Sequence, residues 1–117
     1  MTRVLIVEDE ELIGMLLEEM LINRGFEVIG RATTLQESHN MLGSAQVDVA
    51  LLDVSLHGEP VFPLALELLQ RKIPFVFTTG YGAAGLPPEW QAHPVFCKPY
   101  NMQELTVKLA QLTAQPS

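Results

Sequence analysis

The stretch Val47-Asp48-Val49-Ala50-Leu51-Leu52-Asp53-Val54-Ser55-Leu56 decides how the rest of the chain can fold. Apolar residues run from Val49 to Leu52 and end at the carboxylate of Asp53. A short apolar run that is followed by turn residues is typical of a strand buried on both faces of a parallel sheet. Ligands bind beside the carboxyl ends of such strands in open α/β sheets. Asp53 is therefore either a cap for the next segment or a reactive group.

Four other strand-like runs lie before and after this strand, and apolar residues at helical spacing occupy the segments between them. The runs span residues 4–7, 26–30, 73–79 and 94–97. Connections that are too long for hairpins predict a parallel sheet with helices on both faces. The fourth connection, residues 80–88, contains three glycines and two prolines, so its helix is predicted to be short or irregular.

The ends of three helices carry recognisable capping residues. Thr33 or Thr34 is placed to cap the second helix, and Asn101 is placed to cap the last. Gly25 is placed to end the first helix, for which apolar residues between 12 and 21 predict one broad apolar face.

Length and charge restrict the classes of function. At 117 residues, the chain is predicted to be a single domain, 1–117, without an output domain. A formal net charge of −7 and the lack of a basic cluster argue against binding to nucleic acid or an anionic membrane. Neither a signal peptide nor an apolar run of membrane length is visible, which predicts a soluble cytoplasmic protein. The one cysteine, Cys97, is predicted to be a small buried hydrophobe.

Five polar side chains are predicted to meet at the carboxyl edge of the sheet. They are Glu8 and Asp9 after the first strand, Asp53 after the third, Thr79 after the fourth and Lys98 after the fifth. Carboxylates that are packed together repel one another unless a cation compensates their charge. Oxygen ligands in a site open to water and phosphate suit Mg²⁺, and Lys98 and Thr79 could hold the oxygens of a phosphoryl group beside it.

Each of these residues also has a purely structural interpretation. Glu8 and Asp9 can favour the N-terminus of the following helix, and Asp53 can cap a turn. Thr79 can belong to a turn, and Lys98 can be a solvated surface charge. The coincidence of all five at one edge favours the chemical interpretation. The histidines share no metal-ligand spacing and are predicted to be surface or partly packed residues: His39, His57 and His93.

With these motifs in order, the chain resembles the receiver domain of two-component response regulators. The resemblance rests on residues 4–10, on Asp53, on Thr79-Gly80 and on Lys98-Pro99-Tyr100. It implies a flavodoxin-like doubly wound sheet of five parallel strands in the order 2-1-3-4-5. Residues 74–82 are also similar to the F-A-T-G-Y signature of a receiver subgroup frequent in alphaproteobacteria, with Thr78 in place of the alanine.

The resemblance also implies a role for each matching residue. Asp53 would be the phosphoacceptor, attacking a phosphohistidine of a partner kinase. Asp9 would ligate Mg²⁺ directly, Glu8 would act through water, and the backbone carbonyl of Ser55 would complete the metal ligands. Lys98 would bind the phosphoryl group, and Thr79 would move toward it after phosphorylation.

Two positions depart from the family pattern. Many receivers carry a tyrosine or phenylalanine three residues before the lysine, and Val95 stands there. The glycine- and proline-rich segment 80–88 replaces what is commonly a regular fourth helix. Signalling is therefore predicted to depend on rearrangement of that segment rather than on the usual threonine–aromatic coupling.

Several functions stay open at this point. The first is a stand-alone receiver that signals through protein contacts, or acts as a phosphate sink, with a sensor histidine kinase or histidine phosphotransfer protein as its donor. It would not be an enzyme in the usual sense, and a downstream regulator or a homodimer is compatible with it. The second is a receiver-like interaction module that is never phosphorylated.

Two other classes fit the residues poorly. A Mg²⁺-dependent phosphohydrolase of the haloacid dehalogenase type needs an aspartate two residues after the nucleophile, where Ser55 stands. A flavin or nucleotide binder needs a phosphate-binding loop after the first strand, and the acidic residues 8–11 would repel phosphate.

Overall fold

The computed structural model describes residues 1–80, 86–98 and 101–113, which form seven strands and four helices. The strands are β1 (Arg3–Val7), β2 (Glu27–Ala32), β3 (Val49–Asp53), β4 (Ser55–Leu56), β5 (Glu59–Pro60), β6 (Phe75–Thr79) and β7 (Val95–Cys97). The helices are α1 (Glu11–Asn23), α2 (Leu35–Ser44), α3 (Phe62–Gln70) and α4 (Met102–Thr113).

Five of the strands form one parallel sheet in the order β2-β1-β3-β6-β7. Because β4 and β5 pair only with each other, this is the predicted order 2-1-3-4-5 when the strands of the large sheet alone are counted. The doubly wound flavodoxin-like fold is therefore confirmed. β3 lies at its centre and all five of its residues are buried, as expected of a strand covered on both faces.

The sheet separates two apolar layers, each covered by a pair of helices. On one face, residues of α2 and α3 such as Leu42 and Leu64 pack with Phe77 of β6. On the other face, Leu17 of α1 and Leu105 of α4 pack against β1, β3 and β6. Alternate residues of the central strands thus point to opposite layers, which fixes the register of each strand.

The predicted helix caps are present. Thr34 Oγ1 accepts a hydrogen bond from the Glu37 N–H at 3.1 Å, and Glu37 Oε1 accepts one from the Thr33 N–H at 2.8 Å. At α4, Asn101 Oδ1 accepts a hydrogen bond from the Glu104 N–H at 3.0 Å. Gly25 follows α1 with a φ of +89°, a conformation that glycine adopts without strain.

The predicted broad apolar face of α1 is only partly buried. Leu17 and Leu21 lie in the core, whereas Leu12 is 69% exposed and Met15 is 50% exposed. A helix that packs on a sheet buries a single stripe, so the extra apolar residues extend beyond the stripe that the sheet can cover.

The prediction for Cys97 was wrong, because its side chain is exposed. Cys97 is the last residue of β7, a strand of three residues that pairs with β6 only. At the end of a short edge strand, a side chain loses the cover that the middle of the sheet provides.

The connection between β6 and β7 has the predicted irregular character over residues 86–94. Its regular structure there is one 3-10 turn, Pro88–Trp90, and Trp90 is buried against the sheet. Residues 81–85 of the glycine- and proline-rich segment lie outside the described residues. None of the helices that the structure describes is long and apolar enough to cross a membrane.

Candidate functional site

Three of the predicted site residues form a compact ionic cluster at the carboxyl edge of the sheet. Lys98 Nζ donates hydrogen bonds to Glu8 Oε1 at 2.9 Å and to Asp53 Oδ2 at 3.2 Å. The three residues come from the ends of β1, β3 and β7, which are far apart in the sequence. Their contact confirms the predicted meeting of these strand ends.

Asp9 completes a group of three carboxylates. One carboxylate oxygen each from Glu8, Asp9 and Asp53 lies within 4.8 Å of the other two. Hard divalent cations such as Mg²⁺ are bound by oxygen ligands of this kind, and an ion at this point would offset the repulsion between the carboxylates. The donor set therefore fits Mg²⁺.

Thr79 reaches the same edge at the end of β6. It is buried, and its backbone carbonyl accepts a hydrogen bond from the Lys98 N–H at 2.8 Å. The parallel register, in which Thr79 lies opposite Cys97, places the residues that follow both strands side by side. Thr79 and Lys98 are thus neighbours through their backbones.

A small hairpin, formed by β4 and β5, contacts the acidic group. His57 and Gly58 form its turn with φ values of +50° and +84°, the left-handed pair that a two-residue hairpin loop requires. The His57 N–H donates a hydrogen bond to Asp9 Oδ2 at 2.9 Å, while the His57 side chain is 62% exposed. The sequence predicted a turn here but not this contact. Nearly every residue has a backbone amide, so the residue types do not indicate which amide makes a contact.

The hairpin also determines where the Ser55 carbonyl points. In antiparallel pairs, hydrogen-bonded and non-hydrogen-bonded residue pairs alternate. The Val61 N–H donates to the Val54 carbonyl at 2.9 Å, so the next pair, Ser55 with Pro60, is of the non-hydrogen-bonded type. The Ser55 carbonyl therefore points away from β5, and the Ser55 N–H donates to Asp53 Oδ1 at 3.3 Å.

Burial and charge change the pKa values of the cluster in different directions. Burial raises the pKa of Glu8 from 4.5 to about 7, and the nearby Asp53 adds to this effect although the hydrogen bond from Lys98 opposes it. Burial also acts to raise the pKa of Asp9, but the hydrogen bond from the His57 N–H and the interactions with Glu8 and Asp53 together outweigh it, so the pKa is lowered. For Lys98, burial acts to lower the pKa, and the hydrogen bond to Glu8 and the charge of Asp53 raise it overall.

Two histidines lie away from this edge. His39 on α2 binds Glu67 on α3, and His93 stacks on Phe75 with 5.1 Å between the ring centroids. Both are partly buried, as predicted.

A comparison with protein families identifies this arrangement. The response regulator receiver domain family matches residues 4–110. The chain belongs to this family. The receiver domain resemblance that the strand-end residues predicted is thereby confirmed, whereas membership of the F-A-T-G-Y subgroup stays a prediction.

Relatives of this receiver include both curated proteins and solved structures. It is 32% identical over 107 residues to the transcriptional regulatory protein PdtaR of Mycobacterium tuberculosis, covering 88% of this chain and 52% of PdtaR. The solution structure of SdrG from Sphingomonas melonis has a TM-score of 0.84 at 36% identity, covering 97% of this chain and 98% of SdrG. The crystal structure of the response regulator TrrA of Thermotoga maritima, in complex with Mg²⁺ and BeF, has a TM-score of 0.83 at 29% identity, covering 96% of this chain and 99% of TrrA.

The receiver spans about half the length of the curated relatives that it matches. The remainder of those longer proteins lies outside the matched part.

Proposed function

We propose that this receiver accepts a phosphoryl group on Asp53 from a phosphohistidine of a partner protein, in a reaction that depends on Mg²⁺. The observation that carries the proposal is the ionic contact of Lys98 with both Asp53 and Glu8, beside a third carboxylate at Asp9. Phosphoryl transfer needs positioning and charge neutralisation more than covalent chemistry, and this cluster supplies both.

Asp53 is the nucleophile of the proposed reaction. One of its carboxylate oxygens forms a bond to phosphorus, while the bond from phosphorus to the imidazole nitrogen breaks and its electron pair returns to the imidazole. Asp53 lies at the end of a fully buried strand, so its carboxylate is held in a fixed position. A fixed nucleophile avoids much of the entropic cost of bringing the two reactants together.

Lys98 and Thr79 are proposed to hold the transferred group. The Lys98 ammonium already lies 3.2 Å from Asp53 Oδ2, so it is placed to neutralise charge on phosphoryl oxygens attached to that carboxylate. Thr79 is proposed to supply a hydroxyl hydrogen bond to the same oxygens after moving toward them.

The metal ligands are proposed to be Asp9, Asp53 and the backbone carbonyl of Ser55, with Glu8 acting through water. A bound Mg²⁺ would supply positive charge that offsets the repulsion between Asp53 and the incoming phosphoryl group. The orientation of the Ser55 carbonyl away from β5 supports its place in this set. TrrA, a relative solved with Mg²⁺ and BeF, supports the choice of ion.

The readout of this chemistry is proposed to be a contact with another protein. The receiver would act in the cytoplasm by contact with a downstream protein or as a phosphate sink, with a histidine kinase or phosphotransfer protein as donor. Direct binding to DNA by this chain is disfavoured by its net charge of −7. Turnover of a separate substrate is not part of the proposal, because the chemistry is limited to phosphorylation and dephosphorylation of Asp53.

The test is to incubate the protein with acetyl phosphate and Mg²⁺ and to measure covalent phosphate by intact mass and phosphate-affinity electrophoresis. We expect a single alkali-labile phosphate that is lost in Asp53→Asn and in the presence of a chelator. No label on wild type would favour an interaction module that is never phosphorylated. Rapid release of many phosphates per molecule would favour a phosphohydrolase.

A further inference from the structure

The hairpin formed by β4 and β5 has a contact that the proposed chemistry does not use. Its turn amide, the His57 N–H, donates to Asp9 Oδ2 at 2.9 Å. His57 and Asp9 are 48 positions apart in the sequence, so the contact joins the segment after β3 to the segment after β1. It reaches the carboxylate that is proposed to bind Mg²⁺ directly.

We propose that the His57 amide is a positioning group, which fixes the Asp9 carboxylate for Mg²⁺ and depends on the glycine at position 58. This inference rests on the proposed function, since it assigns a partner to one of the proposed metal ligands. Carboxylates that bind metals are commonly held by a second layer of hydrogen bonds, and loss of such a partner typically weakens metal binding about 10- to 100-fold.

The geometry indicates that the backbone amide of His57, and not its imidazole, holds the Asp9 carboxylate in position. The His57 ring nitrogen Nδ1 is 4.0 Å from Asp9 Oδ2 and the side chain is largely exposed, so its attraction to Asp9 is weak. The amide is closer and has a fixed direction, because it is held within the turn. Any residue that tolerates the left-handed φ at position 57 should therefore preserve the contact.

Gly58 is the residue on which the turn depends. Its φ of +84° is in the left-handed region, which glycine adopts freely and a β-branched residue avoids. A Cβ atom added at Gly58 would meet no other atom within 4 Å. A substitution there acts through the backbone conformation and not through a steric clash, which allows a matched pair of variants.

The pair is Gly58→Val and Gly58→Asn, with His57→Asn as the side-chain control. Asparagine tolerates a positive φ, so Gly58→Asn should keep the turn and bind Mg²⁺ within about twofold of wild type. Gly58→Val should open the turn and bind Mg²⁺ about tenfold more weakly. His57→Asn removes the imidazole but keeps the amide, so its Mg²⁺ affinity should match that of wild type.

Mg²⁺ affinity is measured by calorimetry, and the His57 amide is followed by NMR in metal-free protein. Removal of the acceptor in Asp9→Ala should shift the His57 amide proton upfield, and Gly58→Val should shift it in the same direction. Equal Mg²⁺ affinity in wild type and Gly58→Val, or an unchanged His57 amide in Asp9→Ala, would overturn the positioning role alone. A wild-type protein that does not bind Mg²⁺ would overturn the proposed function as well.

Discussion

Among the residues that the structure describes, Lys98 is the one cation that joins two carboxylates of the site. It donates to Glu8 and Asp53 at 2.9 and 3.2 Å, and its removal leaves their mutual repulsion uncompensated in the absence of metal. Lys98→Ala should reduce the initial rate of phosphorylation by acetyl phosphate at least about 100-fold, the scale found when one stabilising donor is removed. Lys108→Ala on α4 removes the same charge elsewhere and should phosphorylate at the wild-type rate. Similar rates in both variants would contradict the role of Lys98.

Glu8 makes the stability of the metal-free protein depend on pH. Its pKa is raised from 4.5 to about 7, chiefly by burial, and the residue is only 3% exposed. Because the pKa of Glu8 is higher in the folded state than in the unfolded state, the folded state binds more protons at pH values between the two. The free energy of unfolding should therefore fall as the pH rises from about 4.5 to about 7 and then level off.

Glu8→Gln should remove this loss of stability at high pH, because the side-chain amide of glutamine does not ionise. In chelator at about pH 8, urea denaturation should show the variant to be more stable than wild type by about 1–3 kcal/mol. The difference should shrink at about pH 5, where Glu8 is largely protonated in the folded protein. Glu10→Gln, a change on the same loop, serves as the control. A difference between Glu8→Gln and wild type that does not change with pH would contradict this account.

At the scale of elements, the 3-10 turn Pro88–Trp90 between β6 and β7 packs on the sheet through one large side chain. Trp90 stacks on Phe62 of α3 with 5.6 Å between centroids and meets Phe77 of β6 edge to face at 5.9 Å. These contacts cover the sheet where a helix would otherwise lie. The described part of the connection, residues 86–94, is therefore held against the sheet by aromatic contacts.

Trp90→Ala should accordingly cost about 3–5 kcal/mol of the free energy of unfolding, the range for removal of a large aromatic side chain from a core. Trp90→Phe, which keeps a ring against Phe62, should cost less than half of that. Urea denaturation followed by far-ultraviolet circular dichroism measures both. A small loss in Trp90→Ala would show that the connection contributes little to the core.

The sequence predicted those elements and contacts that depend on residue type, and it missed those that depend on the backbone or on the position of a strand in the sheet. The central strands and the meeting of Glu8, Asp53 and Lys98 follow from apolar runs that end in polar residues, because parallel strands share one carboxyl edge. The hairpin contact to Asp9 was missed, since it uses a backbone amide. The exposure of Cys97 was missed, because residue type alone does not show that a strand is short and lies at the edge of the sheet.

For the whole molecule, the remaining question is how a change at Asp53 reaches a partner. Val95, at the position where many receivers carry an aromatic residue, contributes no ring to couple with Thr79. Phe77 lies two residues before Thr79 on β6 and contacts Trp90, so we expect movement at the end of β6 to reach the connection that follows it. This connection is the expected route of the signal.

Hydrogen exchange with and without Mg²⁺ and beryllofluoride, a mimic of the phosphoryl group, should therefore change mainly in residues 79–93. We expect a change of about fivefold or more in amide exchange there, equal to about 1 kcal/mol in the free energy of local opening. Amides of α2 should change much less, because α2 packs beside β2 at the edge of the sheet opposite β7 and is therefore distant from this route. Asp53→Asn should abolish the effect. Exchange that is unchanged in residues 79–93, or equally changed throughout the chain, would contradict this route and favour a response in another element.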